Sequence, residues 1–379
     1  MIKIAIYKTG MLPPTQTFIP DQVNAMRDFE PCYVGLERVD NGHQFESEPI
    51  VLMKQRSTLS RLGKVAFKTA GFAPEFLNSV AESHPQLLHA HFVLDGVHAL
   101  PIVSRLQVPF IVTLHAHAPT SFGKALPRTS LDNMVYSLRL PTLWKRASLF
   151  ICVSEFVRRR ALELGYPAAK LRVHYIGVDR KLFKPSTQRR DPRLVLFVGR
   201  LEERKGCNYL LEAMAEVKSV IPDARLVFIG GGSKRAELEQ MSRDLNVDAE
   251  FLGRVSDDEK REWLSRARVF VGPSITAPDG DAEALGMVFA EAQATGLPVV
   301  SCYHGGVPEV VLDGQTGLLA SEHDSHGLAK HILRFLQDEQ FWQACSSRAM
   351  SWMEERFDLV KQTQELEQIY FSLLKSATV

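Results

Sequence analysis

Short apolar runs alternate with glycine-bearing loops and helix-like stretches along the whole chain, and this alternation constrains the fold more than any other feature. Ile2–Tyr7, Val108–Leu114, Leu149–Val153 and Leu171–Ile176 are such runs, and Leu194–Val198, Ala224–Ile229, Phe251–Gly253, Arg268–Val271 and Val299–Ser301 repeat the pattern. Continuous apolar strands need cover on both faces, which parallel sheets obtain from helical crossovers. Helix signals fall between the runs. Ser154 is placed to cap a helix ending at Leu164, with Gly165 and Pro167 as its stop. The predicted class is α/β, with two doubly wound, Rossmann-like parallel-sheet domains over 1–180 and 194–357. The stretch 181–193, rich in proline and charge, reads as a linker.

A chain of 379 residues with 45% hydrophobic content suffices for two such cores. Its five cysteines (Cys32, Cys152, Cys207, Cys302 and Cys345) show no CxxC spacing, which argues for reduced thiols and against structural zinc. The first strand is too short for a signal-peptide core. No run approaches the roughly 18 apolar residues of a membrane span. A cytoplasmic protein is expected. Charge divides unevenly: residues 1–180 carry 21 Lys/Arg against 14 Asp/Glu, and the remainder 24 against 30. A basic first half suits an anionic partner, although an ordinary solvated surface accounts for it equally. Within it, Lys54, Arg56, Arg61, Lys64 and Lys68 interleave with Leu59, Leu62, Val65, Ala66 and Phe67 at helical spacing. That pattern suits either a solvated helix face or a helix resting on an anionic membrane surface. Nucleic-acid binding has no support beyond this basic balance.

The densest chemistry lies in Gly272–Leu319. Glu283 and Glu291 flank Ala284-Leu285-Gly286-Met287-Val288-Phe289-Ala290, which reads as a loop turning into a helix near Gly286. Gly296 and Pro298 close that helix. The first amides of a helix point free N–H groups at whatever precedes it, a setting that suits phosphate oxygens. Eight residues along one ideal helix separate two carboxylates by roughly 12 Å. Glycosidase pairs need about 5–9.5 Å. The spacing fits a grip on two ends of an extended ligand with a charged middle, such as a nucleotide-sugar.

Further candidates lie elsewhere. Gly199 allows close backbone approach after an apolar strand, and Arg200 and Lys205 supply cations for a leaving diphosphate. Gly230-Gly231-Gly232 lacks the spacing of a dinucleotide fingerprint. Asp279-Gly280-Asp281 resembles a metal-binding pair but is discounted, since Arg200 and Lys205 supply the charge a metal would. His89, His91, His115 and His117 form two His-x-His pairs without a carboxylate or cysteine to complete a zinc set. His115 follows a strand whose carboxyl end is the usual ligand side of an open parallel sheet. Thr15 and Thr17, after the first strand, offer hydroxyls or simply cap a helix.

The Glu-x7-Glu spacing, the apolar strand after it and Gly305-Gly306-Val307-Pro308-Glu309 together resemble the signature of family four of the retaining glycosyltransferases. Ala284 stands where many members carry glycine. The resemblance spans the second domain and is patchy in the first. It implies the GT-B architecture, with the two domains facing across a cleft and a last helix, within 358–379, crossing back to the first. It implies a retaining glycosyltransferase of cell-surface polysaccharide synthesis, working without cofactor or essential metal on a nucleoside diphosphate sugar (uridine favoured, guanosine next). The acceptor is expected to be a glycan or polyprenyl-diphosphate-linked hydroxyl at the inner face of the membrane. Glu283 and His115, the latter in Thr113-Leu114-His115, are implied to position the sugar, with His91 and His117 behind. Glu291 is implied to hold the ribose, Arg254 and Val255 the nucleobase. Arg200, Lys205, Gly199 and the amides of Gly286, Met287, Val288 and Phe289 are implied to hold the diphosphate. Thr15 and Thr17 border the phosphates or acceptor. A nucleotide-sugar 2-epimerase or sugar phosphorylase on the same fold, and a non-catalytic nucleotide-sugar-binding subunit, remain alternatives.

Overall fold

The computed structural model describes residues 1–13, 16–39, 45, 48–53, 57–115, 130–185, 189–278 and 280–377. The chain forms two units, Met1–Gly177 with Leu359–Val379, and Val178–Asp358.

The first unit is built on seven parallel strands: β1 (Ile2–Met11), β2 (Phe29–Arg38), β3 (Ile50–Met53), β4 (Leu87–His91), β5 (Phe110–Leu114), β6 (Leu149–Cys152) and β7 (Leu171–Val173). Their order is β3-β2-β1-β4-β5-β6-β7. β4 and β5 are buried at every residue, as a sheet covered on both faces requires. β1 runs beyond Tyr7 to Met11 because β2 pairs with it from Ile2↔Phe29 to Met11↔Arg38. Ser154 caps the helix Glu155–Glu163 by accepting from the Val157 amide at 3.1 Å. The helix expected over 54–68 begins at Thr58, where Ser57 and Ser60 form a reciprocal capping box, and ends at Ala70 before left-handed Gly71. Lys54 and Arg56 lie outside the described residues.

The last helix, Leu359–Ala377, belongs to this unit. Leu366, Ile369 and Tyr370 join Ile4, Ile6, Leu87 and Ile111 in one core. Glu367 accepts hydrogen bonds from the amides of Arg27 and Asp28, both at 2.8 Å.

The second unit repeats the plan with β8 (Leu194–Val198), β9 (Arg225–Ile229), β10 (Glu250–Gly253), β11 (Val269–Gly272), β12 (Val299–Cys302) and β13 (Gly317–Ala320), all parallel. The order is β10-β9-β8-β11-β12-β13. In both units the strand order reverses beside the first strand, which opens a crevice at the carboxyl ends there. The stretch read as a linker is anchored to this second unit: the Arg190 guanidinium donates to the carbonyls of Leu264 (2.7 Å) and Ala267 (3.0 Å). Phe183 is buried beneath Lys260, whose Nζ lies 5.2 Å from the ring centroid.

Candidate functional site

The reversal in the second unit falls between β8 and β11, and the loops leaving these two strands carry the charged residues of the site. After β8 the chain passes Gly199 and Arg200 and winds into a short 3-10 turn, Glu203–Lys205. Gly206 then takes the left-handed conformation (φ 62°) and opens the helix Cys207–Val220. A side chain at Gly206 would strike the Pro273 carbonyl, so the two loops meet as bare backbone. The Ile275 amide donates to the Arg204 carbonyl at 2.9 Å and fastens them together.

That turn aims two cations at one carboxylate. Lys205 Nζ is ion-paired with Glu283 Oε2, and Arg204 Nη1 lies 3.4 Å from the same oxygen. Arg204 Nε lies 3.5 Å from Asp281. The Glu283 side chain is only 13% exposed. Burial pushes its carboxyl up, but the Lys205 ammonium and Arg204 guanidinium outweigh that and hold it at about 2. Glu283 is therefore a fixed anion. Arg200, placed by the sequence beside Lys205, is half exposed and pairs instead with Glu202 at 2.7 Å.

Glu283 precedes the neighbouring helix rather than lying on it. That helix runs Met287–Ala294, with Gly286 (φ 85°) as its N-cap and no capping side chain. A β-carbon at Gly286 would overlap the Phe289 ring. The Phe289 amide bonds back to the Gly286 carbonyl at 2.9 Å. Met287 and Val288 open the helix, where amides have no intrahelical carbonyl to donate to. Glu291 lies inside the helix, where Lys260 Nζ approaches it to 3.1 Å. Burial nevertheless raises the Glu291 carboxyl, with Lys260 as the partial offset. Arg254 is exposed and Val255 half-buried just after β10, immediately before the Ser256-capped helix that carries Lys260.

The histidines of the first unit form a separate buried group. His89 bonds through Nδ1 to the Tyr370 hydroxyl (2.7 Å) and through Nε2 to the Thr113 hydroxyl (2.6 Å). His91 Nδ1 meets His115 Nε2 at 3.1 Å. The His115 ring lies between Phe18 and Phe92, at 4.9 and 4.6 Å between centroids. Burial lowers His89 and His115 to about 3, and His91 well below its usual range. Beside them Lys8 pairs with Asp95 at 2.6 Å, across the strand reversal between β1 and β4. Thr17 occupies the N-cap position of the helix Phe18–Asn24 but makes no side-chain cap bond. Thr15, His117 and Asp279 lie outside the described residues. Among the described residues no group of three or more His, Cys, Asp or Glu is placed to hold a metal ion.

The sequence reading missed Arg204, Lys260 and the histidine His304, which contacts the Glu283 backbone. Arg204 carried a signal, since it shares a loop with Lys205. Lys260 and His304 carried none, being brought in by tertiary packing. The Gly230–Gly232 loop packs its backbone against Gly199 and Leu201, where added side chains would overlap their carbonyls.

Residues 178–352 match the family model for glycosyl transferases group 1, and residues 39–182 that for glycosyltransferase family 4. The amylovoran biosynthesis glycosyltransferase AmsK of Erwinia amylovora is 32% identical over 203 residues, covering 52% of this chain and 50% of that protein. The chain spans about half the length of the curated relatives it matches first. Sucrose-phosphate synthase from Thermosynechococcus elongatus superposes with a TM-score of 0.78 at 20% identity, covering 99% of this chain and 100% of that one. Anabaena HepE, solved with UDP and glucose, gives 0.76 at 23% identity over 98% and 100%.

Proposed function

We propose a glycosyl transfer reaction for this chain, which belongs to the glycosyl transferases group 1 family through residues 178–352 and carries a glycosyltransferase family 4 segment over residues 39–182. Its two parallel-sheet units have the GT-B fold. The reading is a retaining transfer from a nucleoside diphosphate sugar, uridine favoured, to a hydroxyl of a glycan or lipid-linked acceptor in polysaccharide synthesis, without an essential metal. The relative named for amylovoran biosynthesis and the neighbour solved with UDP and glucose support the acceptor class and the nucleotide.

One observation carries it: Lys205 and Arg204 converge on Glu283 beside the start of the helix Met287–Ala294, at the strand reversal of the second unit. A diphosphate in that crevice would draw Lys205 and Arg204 onto its oxygens and meet the amides of Met287 and Val288. Glu283 would then accept from sugar hydroxyls, and Glu291 from the ribose. As the anomeric C–O bond to the diphosphate breaks, the acceptor oxygen bonds to that carbon from the same face. The acceptor proton passes to the departing phosphate oxygen, leaving a nucleoside diphosphate and a glycoside. His115 is our further candidate for a sugar contact.

Contact with an anionic membrane is the further part of the reading. Lys64 and Lys68 do not form a free basic stripe, since they pair with Glu37 and Asp132. The helix Thr58–Ala70 and the chain after it expose three large apolar side chains, Leu62, Val65 and Phe72. The helix Leu131–Arg146, tied to it through Lys68–Asp132 and Arg139 to the Thr69 carbonyl, exposes Leu131, Met134 and Leu138. Arg61, Lys145 and Arg146 are exposed on the same two helices, a complement to anionic headgroups. No described helix is long and apolar enough to cross a membrane. The reaction is tested by incubating the protein with UDP- and GDP-sugars and a polyprenyl-diphosphate glycan extract. A new glycoside with retained configuration supports the reading. An altered sugar nucleotide formed without acceptor favours an epimerase instead.

A further inference from the structure

The backbone of Glu283 is gripped from two sides by residues that lie outside its own loop. β11, β12 and β13 are adjacent, and the segments leaving their carboxyl ends carry Glu283, His304 and Glu322 in that order. The Glu283 amide donates to His304 Nε2 at 3.0 Å. The other ring nitrogen, Nδ1, lies 2.8 Å from Glu322 Oε1. An Nε2 that accepts carries no proton, so the ring proton sits on Nδ1 and is donated to Glu322. Glu322 is itself fixed, accepting from the Thr276 amide at 2.7 Å and the Thr276 hydroxyl at 3.0 Å. His304 is 3% exposed, so its ring is shielded from water.

The residues after His304 hold the carbonyl side of the same residue. The Gly306 amide donates to the Glu283 carbonyl at 2.8 Å. Gly305 takes φ 53°, and a β-carbon there would overlap the Glu283 carbonyl oxygen; one at Gly306 would overlap that of Ala284. The run His304-Gly305-Gly306 thus closes on the Glu283 backbone with no room for a side chain between them. The Glu283 side chain is meanwhile pulled by Lys205 and Arg204, the groups a diphosphate would claim. Once those cations turn to a ligand, the backbone grip is what keeps the carboxylate from following them.

We propose that His304, oriented by Glu322, is the positioning residue for Glu283. It acts through the amide of that residue and touches neither donor nor acceptor. This rests on the glycosyl transfer reading given above. Losing the grip leaves Lys205, Arg204 and the helix amides in place, so nucleoside diphosphate affinity stays while the productive sugar pose is lost. A misplacement of that kind costs about 10–100-fold in turnover.

The test compares His304→Leu with His304→Gln, whose amide oxygen reaches where Nε2 lies. Three quantities are read in each: kcat and donor KM, UDP affinity by calorimetry, and amide exchange of the segment containing Glu283. The expected result is a fall in kcat of about 10–100-fold in the Leu variant with UDP affinity unchanged, and recovery of most of it in the Gln variant. Exchange at Glu283 quickens with Leu and is restored with Gln. Turnover in the Leu variant within about twofold of the parent overturns the proposal, as does equal loss in both variants. If the parent transfers no sugar, the glycosyl transfer reading falls, and exchange alone decides the grip: unchanged Glu283 exchange in the Leu variant overturns it.

Discussion

Lys205 and Glu283 stand 78 positions apart in the sequence and form an ion pair across the strand reversal of the second unit. Two charges withdrawn from water are stabilised only when each is held from several directions. Here Arg204 is the second cation on the carboxylate. Close to the pair, the backbone tolerates no side chains at Gly206 or Gly286. A cation so placed is available to a stronger anion, and a diphosphate carries more charge than one carboxylate.

Removing either partner should therefore silence the reaction. Lys205→Ala and Glu283→Gln are each expected to lower kcat by about 10²–10³-fold, the usual cost of a lost charge-stabilising contact. Circular dichroism should show the fold retained. Turnover near the parent value in either variant would count against the site.

Glu291 makes a different prediction. Its burial raises the carboxyl, and Lys260 is the first cation that offsets this. If it holds the ribose in ground and transition states alike, Glu291→Gln should raise donor KM about tenfold and leave kcat nearly unchanged. A fall in kcat at constant KM would place Glu291 with the reacting sugar instead.

The buried histidines of the first unit predict acid sensitivity. His89 and His115 are held at about 3 and His174 at about 4, each first by burial. In the unfolded chain histidine titrates near 6.5, so below that pH the unfolded state binds protons that the folded state refuses. Stability is full above about pH 6.5 and falls toward pH 4 by about 1.4 kcal/mol per pH unit for each histidine. Thermal unfolding followed from pH 7.5 to 4.5 should show a steep drop in the transition of this unit. A flat profile would contradict the buried, neutral assignment.

Membrane contact predicts salt-sensitive retention on anionic vesicles. Phe72 and Leu138 are 68% and 75% exposed, so Phe72→Ser with Leu138→Ser removes apolar area without opening the core. The double variant should sediment less with phosphatidylglycerol vesicles than the parent while keeping its melting temperature. Equal sedimentation of both proteins would remove this surface from consideration.

What could be read from the sequence followed from locality. β8 is legible because Leu194–Val198 is a bare apolar run before a glycine, and the Met287–Ala294 helix because Gly286 and Gly296 bracket it. β2 was not, since Phe29–Arg38 holds Pro31 and three charges, and exposed Glu30 interrupts its burial after Phe29. Among the site residues, Glu283 and Glu291 stand out through their mutual spacing. Arg200 and Lys205 stand out in the glycine-bearing run after β8, whereas Arg204 reaches the Glu283 carboxylate through a 3-10 turn that no local pattern marks. His304 and Lys260 reach their partners through strand order and helix packing, which no local pattern encodes.

The most direct measurement is a crystal structure of the protein with UDP bound. The diphosphate is expected against Lys205, Arg204 and the amides of Met287 and Val288, with Lys205 drawn off Glu283 and Glu291 on the ribose. UDP lodged elsewhere, with the Lys205–Glu283 pair intact, would contradict it.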